Sequence, residues 1–300
     1  MRHFLSILDF SAQDIREVLT LAKKLKMDRH LLQPLRGETW TLIFSKASTR
    51  TRVSFEVGLR ELGANVIFLA AHDIQLGRGE PIRDTARVIG RMAHGAVIRT
   101  FAQQDVVDFA RYSKIPTINA LTDEEHPCQI LTDIFTIEEL RGPIEKQRMV
   151  FIGDGACNVP ASWMLAAKQL QFELIIAAPS GYQPAEALAK QTGVRVTASL
   201  EEAVKDADVL YTDVWVSMGK ELEKETRLKA LGDYQINEKI LSLAKPDALV
   251  LHCLPAYRGL EITDSVLEQH AETIFTEAEN RLHVQKAIIT FLKQSIRSQS

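Results

Sequence analysis

The sequence predicts an α/β protein of two domains, each a parallel β-sheet flanked by helices, joined by interdomain helices. Three observations lead there. Short apolar runs alternate with amphipathic segments of helical length, the rhythm of strand–helix–strand units around a parallel sheet. The alternation occurs twice, with a break at Gly142-Pro143. The unusual polar residues fall just after the apolar runs, where the loops of an open parallel sheet converge on a ligand.

Ser11 opens the first helix. Asp14, three residues on, completes a capping-box start, and Ile15, Val18, Leu19, Ala22 and Leu25 recur at helical spacing. After Gly37 come the apolar runs 40–44, 66–69, 96–98 and 117–119, read as strands. A helix follows His126-Pro127 through Ile130, Ile134, Ile137 and Leu140 until Gly142-Pro143 stops it. That stop is the expected linker, dividing residues 1–141 from 142–278. The second alternation comprises runs 149–152, 174–178, 196–197, 209–212, 249–253 and 274–275. Residues 278–292 are helical again, and the segment 279–300 is expected to cross back onto the first domain. The last residues, 295–300, read as a frayed tail.

A chain of 300 residues with 46% apolar content suffices for two ordinary domains with a sizeable core. Its net charge is 36 − 39 = −3, without blocks of like charge, so neither a nucleic-acid surface nor a polybasic membrane anchor is expected. The N-terminus, Met1-Arg2-His3-Phe4-Leu5, turns polar by Asp9 and lacks a signal-peptide core. No apolar run nears the roughly 20 residues of a membrane span, and a cytoplasmic location is expected. Cys128, Cys157 and Cys253 form no CxxC pair, and their odd number speaks against a disulfide framework.

Ser48-Thr49-Arg50-Thr51-Arg52 follows the first run and opens a helix that continues through Phe55, Leu59 and Leu62. The free N–H groups and positive end of that helix, with the hydroxyls and guanidinium groups gathered there, make an anion site suited to phosphate. A lone Ser48 would be an ordinary cap; five such residues in a row point to a ligand. Arg99 ends the third run, and His126-Pro127-Cys128-Gln129 follows the fourth. In the second half, Asn158 follows the first strand, Asp213 ends another, and His252-Cys253-Leu254-Pro255 ends the next. Taken singly, His126 could accept a loop hydrogen bond and Asp213 could bond a turn. Cys253 could be an inert buried thiol or a nucleophile. His126 and Cys128 alone fall short of a zinc site, so no metal is expected, and no other cofactor.

Ser48 to Arg52, with Phe44 before and Ser54-Phe55-Glu56 after, resembles the carbamoyl-phosphate signature of the aspartate/ornithine carbamoyltransferases. Asp84-Thr85-Ala86-Arg87-Val88, Arg99 and His126-Pro127-Cys128-Gln129 follow in that family's order. Asp213-Val214-Trp215-Val216-Ser217-Met218-Gly219, His252-Cys253-Leu254-Pro255 and Glu279-Asn280-Arg281 resemble its ornithine branch, and the likeness spans essentially the whole chain. The resemblance implies transfer of the carbamoyl group of carbamoyl phosphate to the side-chain amine of L-ornithine, in arginine synthesis or breakdown. It implies that Ser48, Thr49, Arg50 and Thr51 hold the phosphate. Arg99, His126 and the Thr51 hydroxyl would reach the carbonyl oxygen, and Arg281 the carbonyl and phosphate oxygens. Gln129, Cys253 and Leu254 would contact the carbamoyl group. Asn158, Asp213, Ser217 and Met218 would bind ornithine, with Asp213 on the α-ammonium and both Asp213 and Cys253 beside the δ-amine. The loop carrying Gln75 would enter a neighbouring subunit's site, which implies a homotrimer.

Two departures stand out: Cys157 where ornithine enzymes often carry asparagine, and Tyr257 where many relatives have histidine. The alternatives are a putrescine or modified-ornithine enzyme of the same family, a non-catalytic relative, and a nicotinamide dehydrogenase suggested by Gly153-Asp154-Gly155. The last lacks the fingerprint's third glycine, replaced by Asn158, and its ribose-binding acid.

Overall fold

The computed structural model describes residues 1–217 and 219–297; the ornithine-loop residue Met218 and the tail residues 298–300 lie outside the described residues. The chain divides into two compact units, Met1–Thr132 with Glu279–Ser300, and Asp133–Ala278.

In the first unit, Ser11 and Asp14 form the capping box read from the sequence, and helix α1 (Ala12–Met27) buries the five apolar positions of its stripe. Strands β1 (Thr39–Phe44), β2 (Asn65–Ala70), β3 (Gly95–Arg99) and β4 (Thr117–Leu121) alternate with helices α2 (Thr49–Glu61), α3 (Ile82–Ile89) and α4 (Gln103–Ser113). The sheet is parallel, in the order β2-β1-β3-β4. The chain moves from β1 outward to β2 and then returns to the other side of β1, so its topological switch point lies between β1 and β3. Ligands bind at such points in open α/β sheets. Ile43, Ala96, Ile98, Val106 and Phe109 form one core layer. Gly95 starts β3 because the Trp40 indole lies across it; a Cβ there would come within 2.5 Å of the ring.

Helix α5 (Pro127–Arg141) contains the boundary between the units and ends at Gly142, as its sequence requires. The second unit continues with β5 (Arg148–Ile152), α6 (Asn158–Leu170), β6 (Glu173–Ala177), α7 (Glu186–Thr192), β7 (Arg195–Thr197), α8 (Leu200–Val204) and β8 (Val209–Thr212). It closes with α9 (Lys224–Leu231), α10 (Glu238–Leu241), β9 (Leu249–His252), α11 (Asp264–Gln269) and the long α12 (Ala271–Arg297), which runs on into the first unit. This sheet is also parallel, β7-β6-β5-β8-β9, with its switch point between β5 and β8. Val150, Ile152, Ile175, Leu210 and Val250 form its core with Ile236, Val266 and Ile274. Gly155 lets the turn after β5 pack onto the sheet, since a Cβ would meet the Ile176 side chain at 2.8 Å.

One expected strand is absent. Ile274 and Phe275 lie inside α12, where Ile274 is buried and Phe275 exposed, the one-sided burial of an amphipathic helix. Two apolar residues are too few to distinguish a period of two from one of 3.6.

Candidate active site

The first switch point gathers the cationic residues. Register pairs Phe44 with Arg99, so the Arg99 side chain leaves the sheet beside the loop that leads from β1 to Ser48. Ser48 caps α2: its oxygen accepts the Thr51 N–H at 3.3 Å, and its hydroxyl donates to Thr51 Oγ1 at 3.0 Å. Arg281 Nη2, from α12, also donates to Thr51 Oγ1, at 2.6 Å. With two donors on its oxygen, Thr51 has its own proton left to give to a ligand. Arg99, His126, Gln129 and Arg281 are all buried. Burial, then the charges of Arg281 and Arg99, push His126 well below the usual imidazole range. It is therefore a neutral ring with one N–H donor, beside guanidinium groups that cannot lose their charge. Thr49 is exposed and Arg50 half-buried, both in the first turn of α2. Arg52 turns elsewhere: it lies over the Phe68 ring at 3.7 Å and pairs with Glu56. Cys128 donates to the Asn119 carbonyl at 3.3 Å, and burial pushes its thiol up to about 12, the signature of a packing cysteine. Gln75 is exposed in a short 3-10 turn, Gln75–Arg78.

The second switch point gathers the acidic and thiol groups. Asn158 is the first residue of α6, after β5, and Asp213 is the first residue after β8. Thr212 pairs with His252, so the next residues, Asp213 and Cys253, leave neighbouring strands side by side. The Cys253 thiol donates to Asp213 Oδ1 at 3.1 Å, which also accepts the Val214 N–H at 2.7 Å. Burial raises the Asp213 carboxyl, with these two hydrogen bonds opposing it. Burial, and then the Asp213 carboxylate, push the Cys253 thiol well above its usual range. A thiol kept protonated is not a nucleophile. Asp213, His252 and Cys253 bring potential metal-ligand atoms within 4.8 Å of one another, but both His252 ring nitrogens already have partners, Leu254 N–H and Glu261. Ser217 is half-buried and its carbonyl accepts the Lys220 N–H. Cys157 is half-buried, its thiol on the Asp154 carbonyl at 3.2 Å.

Arg227 and Asp154 in this half were given no role in the site from the sequence. Arg227, on α9, donates through Nη1 to Asp154 Oδ2 at 2.6 Å and to the Trp215 carbonyl at 3.2 Å, and through Nε to Glu223 at 2.8 Å. It ties the turn preceding Asn158 to the segment that carries Asp213 and Ser217. Asp154, between two glycines at a strand end, carried a visible signal; Arg227 sits in an ordinary charged helix and carried none.

Residues 2–139 match the carbamoyl-P binding domain of aspartate/ornithine carbamoyltransferase, and residues 145–292 match its Asp/Orn binding domain. The chain belongs to the aspartate/ornithine carbamoyltransferase family. An ornithine carbamoyltransferase of Akkermansia muciniphila is 54% identical, over 99% of this chain and 100% of that protein. One from Sulfurovum is 49% identical, over 98% and 99%. Among solved structures, anabolic ornithine carbamoyltransferase from Campylobacter jejuni superposes with a TM-score of 0.93 at 43% identity, over 98% of this chain and 100% of that one. The Pyrococcus furiosus enzyme gives 0.90 at 42%, over 97% and 96%. Family membership ends the dehydrogenase reading, and the geometry gives Gly153-Asp154-Gly155 its own explanation. Gly153 adopts a left-handed φ of 128°, Gly155 packs on Ile176, and Asp154 is held by Arg227.

Proposed function

We infer that the chain transfers the carbamoyl group of carbamoyl phosphate to the δ-amine of L-ornithine, giving L-citrulline and phosphate. The observation that carries the choice of acceptor is the Asp213–Cys253 pair. A buried carboxyl bonded by a neutral thiol suits a substrate with ammonium groups. It does not suit aspartate, whose extra carboxylate would face another carboxylate.

Carbamoyl transfer needs a cradle for phosphate, a polarised carbonyl and an amine with a free lone pair. In this reading Ser48, Thr49, Arg50 and Thr51 hold the phosphate, and Arg281 spans phosphate and carbonyl oxygens. Arg99, neutral His126 and the Thr51 hydroxyl donate to the carbonyl oxygen as it gains charge, while Gln129 and the Cys253-Leu254 turn hold the carbamoyl nitrogen. Asn158, Asp213, Ser217 and Met218 bind the amino-acid end of ornithine, with Asp213 on its α-ammonium. Cys253 and Asp213 lie beside the δ-amine and position it for attack. The amine nitrogen bonds to the carbonyl carbon, the carbon–oxygen bond to phosphate breaks, and phosphate takes the amine proton. Residues 1–141, with 279–300, form the carbamoyl-phosphate domain and 142–278 the ornithine domain.

Among the described residues no helix is long and apolar enough to cross a membrane, and we place the enzyme in the cytoplasm. Its working form is a homotrimer in which the Gln75 loop completes a neighbour's site; a fully active monomer in sedimentation would refute this. The deciding assay compares ornithine, putrescine, N-acetylornithine and aspartate as carbamoyl acceptors. Only ornithine should give efficient turnover, and kcat/KM should climb between about pH 6 and 9, because an amine with a reference pKa near 10.4 must shed a proton. Preference for putrescine would displace Asp213 from its assigned role.

A further inference from the structure

We infer that His252 and Glu261 are positioning residues that lock the Cys253-Leu254 turn, with the Leu254 N–H held by His252, in the shape that meets the carbamoyl group. The inference deepens the reaction proposed above and rests on it. Neither residue has a role in that mechanism, yet both side chains are wholly buried, with His252 Nε2 at 3.1 Å from Glu261 Oε1. Leu254 sits at φ 56°, a left-handed conformation that branched L-residues avoid. Something must hold it there, and three side-chain acceptors do. The His252 N–H donates to Glu277 Oε2 at 3.0 Å, the Leu254 N–H to His252 Nδ1 at 2.9 Å, and the Tyr257 N–H to Glu261 Oε1 at 2.5 Å.

These contacts fix the imidazole tautomer. Nδ1 accepts a backbone N–H, so it carries no proton; Nε2 carries it and donates to the Glu261 carboxylate. The Cys253 thiol donates to Asp213 instead. With both ring nitrogens committed to the turn and to Glu261, the ring is not the base of a thiol–imidazole relay. It does for Leu254 what an asparagine does in an Asx turn, where the side chain of one residue accepts the N–H two positions on.

That analogy supplies the test, made on the full chain in its native assembly. His252→Asn retains an acceptor for the Leu254 N–H and releases Glu261; His252→Leu removes both. In citrulline formation, kcat of the Leu variant should lie at least about tenfold below that of the Asn variant, the scale on which misplaced catalytic groups are felt. Calorimetric affinity for carbamoyl phosphate, held chiefly through its phosphate, should stay within about threefold of wild type in both variants. Equal kcat values in the two variants overturn the proposal. Should His252→Leu fail to fold, the ¹⁵N spectrum of histidine-labelled wild-type protein at about pH 8 decides, with the signal assigned by its loss in His252→Asn. The proposal expects protonated Nε2 and bare Nδ1; a proton on Nδ1 overturns it. A wild-type chain that makes no citrulline from ornithine sinks the reaction, while the ring's tautomer still tests the lock.

Discussion

In the first unit two guanidinium groups, Arg99 and Arg281, are buried near a histidine that burial and their charge keep neutral. In the second, a carboxyl raised by burial accepts a hydrogen bond from a protonated thiol. Both sites lie at the switch point of a parallel sheet, and both bury groups that water would otherwise solvate. The difference lies in what each group can do without a ligand. Arginine cannot shed its proton, so the first site remains cationic and calls for an anion. Burial raises the Asp213 carboxyl, so the second site carries a charge that its surroundings disfavour and calls for a cation. One half is a fixed electrostatic cradle; the other is a carboxyl whose charge burial disfavours.

The largest effect should come from breaking the fixed half. Arg99→Ala should lower kcat at least about a hundredfold, since one lost oxyanion donor costs about 2.7–4 kcal/mol of barrier. Steady-state citrulline formation reads this, and an unchanged kcat would take Arg99 out of the mechanism. Asp213→Asn tests the other half. Loss of a buried charge partner for the ammonium, of the order of 3 kcal/mol, should lower kcat/KM for ornithine roughly a hundredfold. The KM for carbamoyl phosphate should hardly move; an equal loss for both substrates would erase the distinction between the halves. Arg227→Lys should be milder. Lysine keeps the charge but cannot join Asp154, Glu223 and the Trp215 carbonyl at once, so the ornithine KM should rise about tenfold with carbamoyl phosphate unaffected. A variant with wild-type KM would show that Arg227 supports folding alone.

The two halves were not equally legible in the sequence. Ser48 to Arg52 announced themselves because their chemistry is local: a strand end, a cap and a helix start lie within a few residues of one another, and Arg99 was visible as the end of an apolar run. Asp213 and Cys253 were each visible at the end of an apolar run, but their contact is 40 residues apart in sequence and depends on the pairing of β8 with β9. Arg227 bonds Asp154 across 73 residues, and nothing near either residue foretells it. His252 was seen as part of a motif, but its partner Glu261 was not, because the bond exists only once the turn is closed. The same reason explains the failed strand at Ile274: its fate was decided by packing against the second core, not by its two-residue pattern.

Glu125 sharpens the comparison with the smallest effect. It too is a carboxyl shielded from water, though half-buried, pushed up to about 7 by burial and by the charges of Asp9 and Glu124, against hydrogen bonds from Ser6 and the Ile7 N–H. It lies in the first unit, outside the assigned site, where no cation is due. Its folded value stands above the ordinary carboxyl value of 4.5, so the folded protein binds the extra proton between the two. The stability it contributes is full below about 4.5 and is lost as pH rises through about 7. Glu125→Gln keeps an acceptor for the Ile7 N–H and cannot ionise. Relative to wild type it should gain roughly 2 kcal/mol in denaturant unfolding between about pH 5 and 8. The decisive control is ligand. If proton coupling at Asp213 reflects a site waiting for a cation, ornithine with carbamoyl phosphate should shrink the pH dependence that Asp213→Asn removes. That of Glu125 should persist. Equal loss of both under ligand would mean that burial alone, and not the proposed ornithine site, sets the behaviour of Asp213.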